Sequence, residues 1–235
     1  MDKSQINQAL KELREKSPKR NFSQSIDIIF LLKDIDMKKN ENRIDTYIVL
    51  PNSIGRKVKI CGLVDQQLVN ISKKTFDHTI VLEEFKNISK EKKIIRKLAK
   101  DYDFFVAQAN IMSQVATTFG KILGPKKKMP NPKAGCVVPG TIPSLDPIVQ
   151  KLNNTIKLYS GSEKAVKICV GKEAMKDEEL TDNIIAVYNF LLTKLPQEKQ
   201  NIKDIILKFT MGPIYKIGKG MKWKKNQFLF KNRIR

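Results

Sequence analysis

The segment Thr210–Pro213 combines residue types that suit close contact with another molecule better than catalysis. A threonine hydroxyl both donates and accepts hydrogen bonds, and methionine is a flexible apolar group. Pro213 has no amide hydrogen with which to extend a strand ladder, and Gly212 lets another backbone come close. Because the strand-like run Ile205–Phe209 comes directly before, we expect these side chains to form a contact surface at a strand end.

Patterns for catalysis are incomplete in this chain. His78 is the single histidine, and no second candidate base stands out near a serine or cysteine. Three consecutive acids, Asp177 to Glu179, open a predicted helix, where their side chains diverge and suit the helix dipole better than a metal ion. We therefore predict no catalytic residue, no metal ion and no cofactor.

Two glycine-lysine segments resemble phosphate-binding loops only in part. Gly171-Lys172 follows a strand pattern, but Val166 stands where the first glycine belongs and Glu173 where serine or threonine belongs. Leu123–Lys126 fails the same comparison. Neither segment is predicted to bind a nucleotide.

The charge of the chain indicates a polyanionic partner. Its 45 Lys+Arg and 24 Asp+Glu leave a formal net charge of +21 on 235 residues. Residues 214–235 and 104–145 contain no acidic residue, so we expect two separate basic surfaces. Phosphate backbones are the commonest polyanion in a cell, which favours a nucleic acid as the partner.

Both acid-free stretches supply candidate contacts to phosphate. In the tail, Tyr215, Trp223, Phe228 and Phe230 lie among lysines, and such rings either stack on unpaired bases or pack onto their own domain. These two readings stay open at this point. The predicted secondary basic contacts are Lys126, Lys127, Lys128, Lys222, Lys224 and Lys225.

Hydrophobic patterns predict the elements that must position these residues. A short helix capped by Ser4 and stopped by Pro18 is followed by strand-like runs, and short strands then alternate with helices as in an α/β layer. Residues 155–159 and 165–170 are predicted to form a hairpin across Ser160-Gly161-Ser162, and a helix follows from Asp177 to Leu195. The strand-like runs near the N-terminus cover residues 25–32, 44–50 and 57–64.

Length and composition bound the class of protein. The chain is long enough for two domains, and its 41% hydrophobic residues are enough to build their cores. No run approaches the roughly 20 apolar residues of a membrane span, so we expect a cytosolic protein without a membrane partner. Cys61, Cys136 and Cys169 are widely spaced and odd in number, which predicts buried free thiols.

Five motifs, taken together, resemble one known family. In order and spacing they are similar to the first protein of the large ribosomal subunit, the protein of its mobile stalk, in an archaeal-like form. The resemblance spans roughly residues 4–217. The motifs are residues 21–27, residues 102–105, residues 123–125 running into 129–132, residues 170–172 with 182–184, and residues 209–213.

The resemblance implies an α/β protein of two domains. Residues 1–65 and 155–235 would form a discontinuous α+β domain one that binds RNA, and residues 66–154 an inserted, Rossmann-like domain two. Carried over by motif, the implied RNA-binding residues are Phe22, Ser25, Asp27, Lys167, Thr210, Met211 and Gly212. The family departs from this chain at Lys127, where its members usually have glycine.

These residue types suit recognition of RNA by its ribose. Thr210 can bond a 2′-hydroxyl, Asp27 can accept one or orient a basic neighbour, and Phe22 and Met211 supply apolar contact. Gly212 would let the backbone approach the sugar edge. Such a surface favours RNA over DNA, while lysines supply affinity.

The function implied is that of a structural constituent of the large ribosomal subunit, located on cytoplasmic ribosomes. It would bind large-subunit ribosomal RNA at the mobile stalk, assist the release of deacylated transfer RNA from the exit site, and repress translation of its own messenger RNA. The alternatives are a free RNA-binding translational repressor and a phosphate-substrate enzyme on the middle α/β domain.

Overall fold

The computed structural model describes residues 2–37, 39, 42–140, 142–161, 163–217 and 220–221. They form an α/β fold with two compact units. Unit one contains the described residues of 1–45, 50–55 and 158–235, and unit two contains residues 46–49 and 56–157.

Helices and strands alternate along most of the chain. In chain order they are α1 (Lys3–Lys16), β1 (Ser25–Leu32), β2 (Asp45–Val49), β3 (Ile60–Val64), α2 (Val69–Thr75), β4 (His78–Val81), α3 (Phe85–Lys90), α4 (Lys92–Asp101), β5 (Phe104–Gln108), α5 (Met112–Leu123), β6 (Val137–Val138), α6 (Asp146–Asn153), β7 (Thr155–Tyr159), β8 (Ala165–Lys172), α7 (Asp177–Lys194), β9 (Ile202–Phe209), β10 (Ile214–Lys216) and β11 (Gly220–Met221).

Unit one is built on an antiparallel sheet with the strand order β11-β10-β9-β1-β8. Central strand β1 alternates strictly between buried and half-buried residues, as its period-two pattern of apolar side chains requires. Helix α1 packs on β9 and β10 of this sheet, helix α7 packs on β8, and the apolar stripes of both helices are buried. From β1, the ring of buried Phe30 stacks on Tyr188 of α7 at a centroid distance of 6.5 Å. The other face of β1 carries Ser25, Asp27, Ile29 and Leu31, all half-buried.

Unit two has a parallel sheet with the strand order β4-β3-β5-β6. In β5, Phe105 and Ala107 belong to one hydrophobic core and Val106 to another, so both faces of the sheet are covered. Helices α3, α4 and α5 close the first core, and α6 closes the second with half-buried contacts from α2. Parallel strands with helices on both faces form the expected Rossmann-like arrangement.

The structure differs from the sequence interpretation in its strand pairing. Strands β7 and β8 do not form a hairpin: β7 pairs with β2, and β8 pairs with β1. Ser160, directly after β7, is bonded to Ile44, directly before β2. The Ser160 amide donates to the carbonyl of Ile44 (2.9 Å), and the Ser160 hydroxyl accepts from the amide of Ile44 (3.0 Å). The hairpin prediction was therefore wrong.

Element boundaries also differ at three places. Asp2, not Ser4, occupies the N-cap position of α1, and Ser4 lies inside the helix. Strand β3, which the predicted boundary at residue 65 placed in domain one, is a central strand of the unit-two sheet. The eight glycines and prolines of residues 124–143 predict a loop, whereas this stretch also contains the short edge strand β6.

The three cysteines, all within the described residues, form no disulfide bond. Cys61 and Cys136 are buried, as expected, whereas Cys169 is half-buried. Burial raises the pKa of the Cys61 thiol to about 12 and that of Cys136 to about 11. Both thiols therefore stay protonated and unreactive near neutral pH. Within the described part of the chain, no helix is both long and apolar enough to cross a membrane.

Gly62 in strand β3 tests the packing of unit two. A Cβ atom there would lie 2.5 Å from Cδ2 of buried Phe76, so Gly62→Ala should lower the free energy of unfolding by about 1–3 kcal/mol through overpacking. Gly120 in α5 is the matched control, because its Cβ would meet nothing within 4 Å. Gly120→Ala should raise the stability by about 0.5–1 kcal/mol.

Urea unfolding monitored by circular dichroism measures both changes. Equal stability of Gly62→Ala and the unmodified protein would show that the Phe76 ring can move aside without cost.

Candidate nucleic-acid interface

Two segments that are far apart in the sequence meet where β1 begins and β9 ends. The Ser25 amide donates to the Thr210 hydroxyl (3.2 Å), and that hydroxyl donates to the Ser25 carbonyl (3.3 Å). The Thr210 amide also donates to the Ser25 carbonyl (3.0 Å). A hydroxyl has one donor and two acceptor sites, so one acceptor position of exposed Thr210 remains for a ligand.

Buried Gln24 forms hydrogen bonds that stabilise this junction. In the sequence, only its position within the first family motif, residues 21–27, pointed to it. It is 1% exposed, and its Oε1 accepts from the Met211 amide (3.2 Å). Its backbone exchanges hydrogen bonds with Glu173: the Glu173 amide donates to the Gln24 carbonyl (2.9 Å), and the Gln24 amide donates to Oε2 of Glu173 (3.4 Å). Gln24 therefore connects three segments that are distant in sequence.

Arg14 of helix α1 fixes the Glu173 segment in turn. Its guanidinium donates to the carbonyls of Glu173 (2.7 Å) and Met175 (2.9 Å) and to Oδ1 of Asp177 (2.9 Å). The planar donor fork of arginine suits this simultaneous contact with a loop and a helix start. The first turn of α7 is thereby tied to α1.

Gly212 is required by the packing of the chain itself. A Cβ atom there would lie 2.9 Å from Cβ of Phe209 and 3.0 Å from Oγ of Ser17. The Gly212 amide donates to the Phe209 carbonyl (3.1 Å), which closes a tight turn after β9. The crowding inside the protein is therefore a sufficient reason for glycine, in addition to the ligand approach that the sequence suggested.

Large apolar side chains are exposed beside this turn. Phe22 is 51% exposed in the bend before β1, and Met211 is 55% exposed. Ile214, which the sequence interpretation missed, is 47% exposed where β10 pairs with Lys208 of β9. Exposed apolar groups that share a strand end are typical of contact surfaces.

Asp27 lies on the half-buried face of β1, opposite Lys208 in β9 and Cys169 in β8. Desolvation raises the pKa of the Asp27 carboxyl, and the positive charge of Lys208 offsets part of that rise. Lys208 is thus the basic neighbour that the sequence could not identify. The carboxylate can accept a hydrogen bond from a hydroxyl group of a ligand.

Lys167 lies apart from the junction. It pairs with Ile29 in the middle of β1, four residues from Ser25 and hence roughly 13 Å along the strand. Its ammonium group is 2.6 Å from Oε2 of Glu163, and this hydrogen bond and charge lower the pKa of the Glu163 carboxyl. The structure therefore brings Ser25, Thr210 and Met211 together but places Lys167 on the far side of β1.

The lysine run of unit two is partly used within the protein. Lys128 donates to the carbonyl of Tyr102 (2.6 Å), and its burial lowers the pKa of its ammonium group. Lys126 donates to the carbonyl of Arg96 (3.3 Å). Lys127 has a positive φ of 56°, a conformation that favours glycine, which agrees with the glycine usual there in the family resembled.

Few of the predicted tail contacts lie within the described residues. Tyr215 is 6% exposed, and its hydroxyl donates to Oε1 of Glu12 (3.4 Å), so this ring packs onto its own unit. Lys222, Lys224 and Lys225 lie outside the described residues, as do Trp223, Phe228 and Phe230. Among the residues that are described, no group of three His, Cys, Asp or Glu side chains is placed to hold a metal ion.

Comparison with known proteins identifies what the chain is similar to. The model of the ribosomal protein L1p/L10e family matches residues 11–213. The large ribosomal subunit protein uL1 of Methanothermobacter thermautotrophicus is 40% identical over 214 residues, which cover 91% of this chain and 98% of the relative. The proteins of the same name from Methanocaldococcus jannaschii (39% over 219 residues; 93% and 97% covered) and Pyrococcus abyssi (38% over 216 residues; 92% and 96% covered) are similar to the same extent.

The raised pKa of Asp27 gives a pH-dependent prediction. A carboxyl with a raised folded-state pKa destabilises the fold once it is ionised, and this cost vanishes below the unfolded-state value of 3.8. Asp27→Asn should therefore be more stable than the unmodified protein at pH 7, and the difference should shrink as the pH falls towards 3.8. Urea unfolding at a series of pH values measures this difference. A less stable variant at pH 7 would mean that the Lys208 attraction dominates.

Neighbouring residues of the turn should differ sharply in their effect on stability. Gly212→Ala must displace Phe209 or Ser17, so it should lower the free energy of unfolding by about 1–3 kcal/mol. Met211→Ala removes a side chain that is 55% exposed and should change stability by no more than about 0.5 kcal/mol. Thermal unfolding of both variants decides the point; equal losses would contradict the packing role of Gly212.

Proposed function

The chain belongs to the ribosomal protein L1p/L10e family, and from this membership we propose that it is a structural constituent of the large ribosomal subunit. The family model spans residues 11–213, which include all of unit two, most of unit one and the whole Ser25–Thr210 junction. The three archaeal relatives named above carry the name of a large ribosomal subunit protein.

The proposed contact with ribosomal RNA is the surface formed by Phe22, Ser25, Asp27, Thr210 and Met211, here called the junction surface. The observation that carries the proposal is the exposure of Phe22 (51%) and Met211 (55%) beside a hydrogen-bonded strand end. Two large apolar groups remain in water there, and a ligand that covers them gains the free energy of burying their apolar surface.

The polar groups of the junction surface suit ribose. Thr210 retains an acceptor position, and the half-buried Asp27 carboxylate is also an acceptor, so both can receive a hydrogen bond from a 2′-hydroxyl. DNA has no such donor. Because bonds to Ser25 and Gln24 hold the turn in place, little conformational entropy is lost when RNA binds.

The phosphate charges of the RNA would be met by lysines around the junction surface. Lys208 lies beside Asp27, and Lys167 lies further along the sheet, where it must exchange Glu163 for a phosphate. No cofactor or metal ion enters this proposal. The exit-site transfer RNA and messenger RNA roles implied by the family resemblance stay predictions.

Binding to RNA and DNA at matched salt tests the junction surface. We expect a large-subunit ribosomal RNA fragment that contains the stalk junction to bind more tightly than a DNA duplex of equal length. The double variant Phe22→Ala/Met211→Ala should weaken RNA binding at least tenfold, about 1.4 kcal/mol. Fluorescence anisotropy measures both effects.

Val49→Ala is the matched control, because Val49 is an exposed apolar residue of unit two (46% exposed) outside the junction surface. It should leave the affinity within about twofold, since surface substitutions away from a contact have small effects. Equal affinities for RNA and DNA would refute ribose recognition, and equal losses in the two variants would refute the location.

A further inference from the structure

Helices α3 and α4 of unit two present a strongly basic face that neither the motifs nor the family comparison assigns. Residues 86–100 contain seven basic side chains and one acidic side chain, Glu91. All seven basic residues are exposed. They are Lys86, Lys90, Lys92, Lys93, Arg96, Lys97 and Lys100.

The helical periodicity of α4 separates its charges from its core contacts. Ile95 and Ala99 are buried in the unit-two core, together with half-buried Leu98. Lys93, Arg96, Lys97 and Lys100 are spaced by three and four residues, so they form one row along the exposed side of the helix. We call this row and the lysines of α3 the α4 basic face.

The charges of the α4 basic face destabilise helix α4. Like charges spaced by three or four residues repel each other, and Lys92 and Lys93 add positive charge at the helix N-terminus, where the helix dipole disfavours it. Among the described residues, none of these seven cations has an ion-pair partner. The acidic residues Glu91 and Asp101 lie at the two ends of α4. This arrangement of charges lowers the stability of α4, and the packing of the helix on the unit-two core does not require it.

Lys126 extends this face from a second segment. Its ammonium group donates to the carbonyl of Arg96 (3.3 Å), so the loop after α5 places another cation beside the middle of α4. Lys126 is itself exposed. Positive charge therefore converges here from α3, α4 and the 124–128 loop.

We propose that the α4 basic face binds the phosphate backbone of RNA, as a second contact independent of the junction surface. A row of exposed, unpaired cations complements a row of phosphates in charge, and binding releases counterions from the nucleic acid. The contact reads backbone and not sequence, since lysine and arginine side chains of such a face meet phosphate oxygens first. It deepens the proposed function by giving unit two a share of the affinity.

The test compares two variants of equal charge change. Lys93→Gln/Arg96→Gln/Lys97→Gln removes three cations from the face, whereas Lys11→Gln/Lys73→Gln/Lys74→Gln removes three exposed lysines elsewhere. The probe is a 20-base-pair RNA duplex without the stalk junction, titrated at several salt concentrations.

We expect the face variant to lower the slope of log K against log salt by about 2, and the control variant to leave it nearly unchanged. If both variants lower the slope equally, the net positive charge of the whole chain attracts the duplex, and the proposal is overturned. Polyglutamate binding as tightly as the duplex with the same dependence on the face would also overturn it, because that would indicate an acidic protein partner.

The duplex experiment separates this inference from the junction surface. Phe22→Ala/Met211→Ala removes no charge, so it should leave the salt slope of duplex binding unchanged while it impairs binding to the junction fragment. If the junction fragment shows no preference over DNA but the face variant still lowers the duplex slope, the proposed function fails and the α4 basic face stands. A lowered slope in the Phe22→Ala/Met211→Ala variant as well would refute two independent contacts.

Discussion

The pairing of β1 with two late strands is the constraint on which the rest of unit one depends. Residues 25–32 must find β8 and β9, which follow more than 130 residues later. Closing so long a loop costs chain entropy. The pairing of β2 with β7 reduces that cost, because it joins the two ends of unit two and lets the insertion act as a short connection. The folding of unit two thus lowers the entropy cost of forming the unit-one sheet into which it is inserted.

This pairing also creates the proposed site. Because β1 lies between β8 and β9, its first residues contact both the turn after β9 and the loop after β8. Buried Gln24 satisfies a backbone amide of each segment, because its side-chain Oε1 accepts from Met211 and its backbone carbonyl accepts from Glu173. A buried donor or acceptor without a partner costs about 1–3 kcal/mol, so the Met211 turn is held in a single arrangement. The exposed apolar groups on it are presented by a rigid support.

Local sequence patterns were sufficient to predict the helices and strands whose apolar residues recur with one clear period. The alternation in β1 and the apolar stripe of α7 each report burial on one face, and both elements were predicted near their observed bounds. The false hairpin between β7 and β8 shows the limit, since alternation marks a strand without naming its partner. Gln24, Lys208 and Ile214 escaped notice for the same reason: their roles arise from segments that only the fold brings together.

Charge and specificity are carried by different parts of this molecule. The junction surface combines apolar groups with acceptors and contains the Asp27 carboxylate, whose own negative charge opposes that of a phosphate. Phosphate attraction is therefore weak at that surface, and the lysines elsewhere must supply it. Salt screens interactions between exposed charges but leaves apolar contact and ribose hydrogen bonds largely intact. Ionic strength should then change how strongly RNA is held more than it changes which nucleic acid is chosen, since the choice depends on uncharged groups fixed by the sheet.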